Sequence, residues 1–215
     1  MKKYLLTLSL ATVAATALIA PAAASAMAAQ DALNVIANHQ YVAPYDLQKQ
    51  YGYWTAKAVS ADGQRTTVLV NDANSSFTAV RKSDIGTALP SVDQVAQHLR
   101  ASGYAYVYDL ELDDGFWQAK ARQGLTSEKV EFVLHPQTLE VLSRVGRSGG
   151  VANGQPVLGA DQVQIALQQA GYTRVRGIEF DDGVWEAEAT NSANQSVELR
   201  VDPTTGRVVS EQLDD

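Results

Sequence analysis

The sequence predicts an α+β protein built from tandem copies of one small unit, each a single helix packed on a four-stranded antiparallel sheet. Three observations predict it. The phrase DDGFWQAKA at 113–121 returns as DDGVWEAEA at 181–189, and a weaker copy, GYWTAKA, stands at 52–58. In the two clearer copies a short run of helical periodicity, closed by a glycine, precedes the phrase. Alternating apolar and polar residues then follow, as in strands with one buried face.

The chain has 215 residues and opens with Lys2 and Lys3, an uncharged apolar stretch to Ala20, and an alanine-rich segment after Pro21. That order is expected of a secretory signal peptide. Two A-x-A sites follow, Ala24-Ser25-Ala26 and Ala26-Met27-Ala28, and cleavage near Ala28 is expected, leaving no stable membrane span. Loss of Lys2 and Lys3 takes the Lys and Arg total from 17 to 15 against 24 Asp and Glu, a net charge of −9. So acidic a surface argues against nucleic acid and against anionic membranes as partners. With no cysteine, packing alone must hold the fold. A periplasmic or secreted bacterial protein is the simplest reading.

At an offset of 68, Asp93, Val95, Leu99 and Gly103-Tyr104 fall on Asp161, Val163, Leu167 and Gly171-Tyr172. The expected organisation is a signal peptide at 1–28, a divergent first unit at 29–82, a second at 91–144, a flexible Gly-rich linker at 145–158, and a third unit at 159–211. In the second unit Ser91 and Gln94 form a capping box, Val92, Val95 and Leu99 make one apolar face, and Gly103 ends the helix. Four strands are expected next, at 104–112, 116–123, 129–135 and 139–145. Asp-Asp-Gly reads as the turn between the first two, its aspartates dispensable because the first copy lacks them.

The second strand is the most informative. Trp54, Ala56 and Ala58, then Trp117, Ala119 and Ala121, then Trp185, Ala187 and Ala189 share one face. Alanine is a poor strand former, so two per strand need a reason. A helix lying close across that face supplies one, with tryptophan filling the space at its end; Trp54, Trp117, Trp185, Ala119 and Ala187 are therefore structural core. The opposite face, with Lys57, Lys120, Glu186 and Glu188, reads as solvated. A unit of this size is marginal alone, so at least the first two are expected to pack together.

These residues carry a resemblance. A helix ending in Gly171-Tyr172, the run from Val175 through the DDG turn to Ala189, and Val197 to Val208 with its D-P-x-T-G turn resemble the PepSY domain family. The second unit is similar, with His135 in place of the usual aspartate, and the first is similar through its W-x-A-x-A core and last strands. The resemblance implies an exported bacterial protein that binds and restrains peptidases or otherwise regulates proteins of the envelope. It brings no catalytic residues and no cofactor.

The residues agree that catalysis is not expected. His39, His98 and His135 stand in no metal-binding or nucleophile frame, and in the third copy His98 becomes Ala166 and His135 becomes Asp202. The DDG carboxylates lack the further oxygens of a calcium loop. No metal or cofactor is therefore assigned. Candidate partner-binding residues are those that differ between copies: Tyr104, Tyr106 and Tyr108 on one first strand, Arg174 and Arg176 on another. The expected partner is another protein, a peptidase among the choices. The alternative is a small ligand or divalent cation held by the acidic surface.

Overall fold

The computed structural model describes residues 27–181 and 183–214; most of the expected signal peptide lies outside them. Helix α1 (Ala29–Asn38) leads into a sheet of β1 (Val42–Gln50), β2 (Tyr53–Val59), β3 (Arg65–Asn71) and β4 (Phe77–Val80), paired in that order. A connection with a 3-10 turn at Lys82–Asp84 reaches α2 (Val92–Ala101). A second sheet follows: β5 (Tyr106–Asp113), β6 (Phe116–Arg122), β7 (Val130–Leu134), β8 (Val141–Gly146), β9 (Gly149–Ala152) and β10 (Gln155–Val157). Helix α3 (Ala160–Gln169) then leads to a third sheet, β11 (Thr173–Asp181), β12 (Val184–Thr190), β13 (Ser196–Val201) and β14 (Val208–Leu213). Every named strand pair is antiparallel, so the described fold is three helices and three antiparallel sheets.

The helices form where their caps and apolar faces dictate. Ser91 accepts from the Gln94 backbone and the Gln94 side chain accepts from the Ser91 backbone, satisfying two donors at the start of α2. Gly103 ends it at φ +95°, and Tyr104 N–H returns to Leu99 O. Ala32 and Ile36 of α1 pack on Ala56, Ala58, Val68 and Val70. In the second and third sheets Ala119, Ala121, Ala187 and Ala189 are buried beneath the helices in the same way. Trp117 and Trp185 are fully enclosed, and their indoles donate to Pro136 O and Leu158 O; Trp54, less buried, donates to Met27 O.

Two expectations need correction. The second sheet has six strands, because 145–158 is no flexible linker but the end of β8 and the hairpin β9–β10. Its glycines serve close approach. A Cβ at Gly150 would stand 2.0 Å from Arg144 O, and one at Gly149 would stand 2.5 Å from Val157 O. Ala152 and Val157 then enter the core under α3 together with Val145 of β8. Nor is the face opposite the alanines simply solvated. Thr55 is only 3% exposed, since the outer face of the first sheet is covered by the second unit.

That covering follows one geometry. The turn between β5 and β6 rests on the outer face of β2 and β3. Phe116 meets Tyr53 and Tyr51 edge-on, and Asp114 Oδ1 accepts from Lys57 Nζ at 2.8 Å. Tyr53 and Leu69 join Phe116, Trp117 and Leu134 in one core. The outermost first strands, β1, β5 and β11, are bulged. Register shifts interrupt each, and Ala43, Asp46, Asp109, Arg174 and Gly177 take positive φ.

Gly115 sits in this joint at φ +88°, where a Cβ would lie 2.7 Å from Leu69 Cδ1 and 2.9 Å from Thr67 Cγ2. Its counterpart Gly183 has φ +80° with open space beyond. Gly183→Ala should therefore cost about 1–2 kcal/mol for the left-handed backbone alone. Gly115→Ala should cost roughly 1–3 kcal/mol more, through overpacking of the joint. Equal losses in urea unfolding would show that the turn is not pressed against the first sheet.

Candidate functional site

The third sheet meets the second through a similar lysine–aspartate pair. Lys120 Nζ is 3.0 Å from Asp181 Oδ1 at the end of β11, whereas Lys57 takes Asp114, one place further along the DDG phrase, at 2.8 Å. Lys57 and Lys120 occupy corresponding positions of β2 and β6; the third copy has Glu188 there, paired with Arg176 Nε at 2.7 Å. Lys129, just before β7, bonds Glu179 and donates to Phe180 O at 3.3 Å. The aspartates of the DDG phrase are thus not mere turn residues. Asp114 ties the second sheet to the first, and Asp181 ties the third to the second.

Glu131 of β7 lies inside this second joint. Burial is the main influence on it and pushes its carboxyl up to about 7; the neighbouring Asp181 adds to the rise and Lys129 opposes it. Lys129 Nζ stands 3.0 Å from Glu131 Oε1, an ion-pair distance but off hydrogen-bond alignment, so the desolvated oxygen is poorly compensated. Around Glu131 stand Lys129 just before its strand, Lys120 on β6, and Asp181 and Glu179 on β11. Burial raises the Asp181 carboxyl as well, but the bond and charge of Lys120, with the Glu131 bond and the charge of Lys129, together outweigh this and hold it below its ordinary value.

Beside the joint, lined by residues of all three sheets and their turns, opens a groove of about 880 Å³. Asp109, Glu111, Asp113, Asp114, Glu131 and Asp181 line it against a single lysine, Lys120. Tyr51 of the first unit and Asn153 of the β9–β10 hairpin close one end, the Tyr51 N–H donating to Asn153 Oδ1. The groove suits a basic segment or a cation. Among the described residues, no three His, Asp or Glu side chains converge as a metal site would require.

The predicted binding residues are scattered. Tyr104 is buried, 6% exposed, which corrects its assignment as a binding residue: it lies before β5, stacks edge-on against Phe132, and its hydroxyl accepts from Arg144 Nε at 2.9 Å. Tyr106 is exposed and Tyr108 is half-buried, bonded to Arg122. Both stand on β5, the strand that also gives Asp109 and Glu111 to the groove. Arg174 and Arg176 are exposed on the bulged β11, with Arg176 paired to Glu188. His135 is a turn residue. Its Nδ1 accepts from the Gln137 and Thr138 backbones at 3.2 Å, as Asp202 Oδ1 accepts from Thr204 and Thr205 at 3.1 and 2.7 Å. Burial holds the imidazole pKa below its ordinary value, keeping that acceptor free.

Sequence reasoning passed over Lys57, Lys120, Lys129 and Glu131. The signal was present for two of them, the repeated lysine that turns to glutamate in the last copy.

The raised Glu131 carboxyl makes stability depend on pH. Below 4.5 the group is protonated in both folded and unfolded chains and costs nothing. As pH climbs to about 7 the unfolded chain ionises first, so stability falls, by up to about 3 kcal/mol, and then levels. His135 acts in the opposite sense, since its depressed pKa removes stability as pH drops below the ordinary histidine value. The comparison is therefore with Glu131→Gln. Between pH 5 and 7.5 the wild-type melting temperature should decline relative to that variant, and parallel profiles would remove Glu131 as the cause.

Residues 152–212 match the family described as peptidase propeptide and YPEB domain, PepSY. The match begins in β9, ahead of the expected start at Gly159, and takes in β10 through most of β14. No curated protein matches the chain significantly. Among solved structures, the Bacillus megaterium YpeB C-terminal domain is similar at 11% identity, over 88% of this chain and 99% of that one, with a TM-score of 0.22. The sequence match therefore places residues 152–212, rather than the whole chain, in likeness to the PepSY family.

Proposed function

We propose that the chain is a non-enzymatic protein-binding module of the bacterial envelope that regulates or restrains a peptidase. The observation that carries this reading is the groove, where six carboxylates face one lysine at the meeting of three units. A partner segment bearing lysine or arginine would neutralise that crowding. Such a groove also steers a basic partner at a distance. The family's description as a peptidase propeptide domain supports a peptidase as the partner class. Tyr106 and Tyr108 would extend the contact along β5, while Arg174 and Arg176 would meet acidic groups on another side.

In this reading the chain is three PepSY-like units at 29–82, 91–144 and 159–211, with β9 and β10 added between the last two. The N-terminal leader would act as the export signal. Among the described residues no helix is long and apolar enough to cross a membrane.

Pull-down from an envelope extract, followed by peptidase inhibition assays, tests the reading directly. Glu111→Gln with Asp113→Asn, which leaves the lysine pins Asp114 and Asp181 intact, should weaken partner binding about tenfold or more and flatten its salt dependence. Undiminished binding by that variant would move the site elsewhere. The crowded carboxylates also support a second reading, a divalent-cation binder. Calorimetric heat with Ca2+ that disappears in the same variant would favour it over a protein partner.

A further inference from the structure

We infer that the mature chain begins at Met27, the leader being cut between Ala26 and Met27 rather than after Ala28. The inference rests on the proposed export of the protein. Of the two A-x-A sites, Ala24-Ser25-Ala26 leaves Met27 and Ala28 on the mature chain, whereas Ala26-Met27-Ala28 removes them.

The first unit uses both residues. Met27 O accepts from the Trp54 indole at 3.0 Å, the counterpart of the bonds that Trp117 and Trp185 make to Pro136 O and Leu158 O. The Met27 side chain packs against the Ala32, Ile36, Ala56 and Val70 cluster. Ala28 O accepts from the backbones of Asp31 and Ala32 at 3.0 and 3.2 Å, opening α1, for which no side chain acts as cap.

The backbone nitrogen of Met27 decides between the sites. It lies 2.8 Å from Asp72 Oδ1, while Asp72 Oδ2 takes Lys49 Nζ at 2.7 Å. Hydrolysis of the Ala26–Met27 amide by a leader peptidase adds the hydroxyl of water to the Ala26 carbonyl and a proton to Met27 N. At neutral pH the new amine takes up a further proton. A charged ammonium then stands against the half-buried Asp72 carboxylate. A cut after Ala28 would instead strip the Trp54 indole and the first α1 amides of their acceptors. It would also place an ammonium on the first residue of α1, at the positive end of the helix dipole.

Full-length chain expressed in an exporting bacterium and recovered from the periplasm should give an intact mass and an N-terminal sequence starting at Met27. A start at Ala29 overturns the inference and leaves export standing. Recovery of uncleaved chain in the cytoplasm overturns both. Mature chains made to start at Met27 and at Ala29 give a second reading: the Met27 form should melt higher by at least about 3 °C. Asp72→Asn should reduce that gap, and equal melting of the two forms would count against the proposed role of the terminus.

Discussion

Close approach between helix and sheet is the constraint on which the molecule depends. Ala56 and Ala58, Ala119 and Ala121, and Ala187 and Ala189 are all at most 5% exposed beneath α1, α2 and α3. Any larger side chain there would lift the helix and open the apolar layer around it. The indoles close the end of each layer and anchor to backbone carbonyls, so the fit is directional as well as apolar. With the inner face of each sheet committed to its helix, the outer face is left to receive the next unit.

At the first joint the receiving face offers Thr55, Tyr53 and Leu69 with one lysine, and burial does most of the holding. At the second joint it offers Lys120, Lys129 and Glu131, and charge does more. The exposed third face carries Glu186, Glu188 and Arg200, with Arg200 Nε 3.5 Å from Glu186 Oε1. The three outer faces thus run from apolar to charged along the chain.

The inner faces were legible in the sequence because paired alanines at a period of two leave room for little but a helix lying close on a strand. The joints were not, because polar residues on an outer face look alike whether water or another unit covers them. Asp114 and Asp181 read as turn formers, yet Asp114 alone of the two stands in the turn and Asp181 ends β11. The glycines of 145–158 suggest freedom, yet composition alone does not separate a loose chain from one pressed against a neighbouring backbone at Gly149 and Gly150. Tyr104 alternates with Tyr106 and Tyr108 and so reads as part of the first strand. It instead closes the end of α2, with its N–H bonded to Leu99 O, and that turn directs its ring inward. His135 is a residue type that suggests chemistry, but its place in the turn, shared with Asp202, accounts for it.

The bulges along β1, β5 and β11 have a consequence for the molecule in a crowd. An open edge strand offers its unpaired amides and carbonyls to any other chain, and straight edges readily join into fibres. Here left-handed residues turn the backbone aside at Ala43 and Asp46, at Asp109, and at Arg174 and Gly177. Another chain laid along any of these edges would lose its register within about three residues. Three sheets in one chain, unprotected by disulfides, can thus be held at high concentration with these edges resistant to polymerisation.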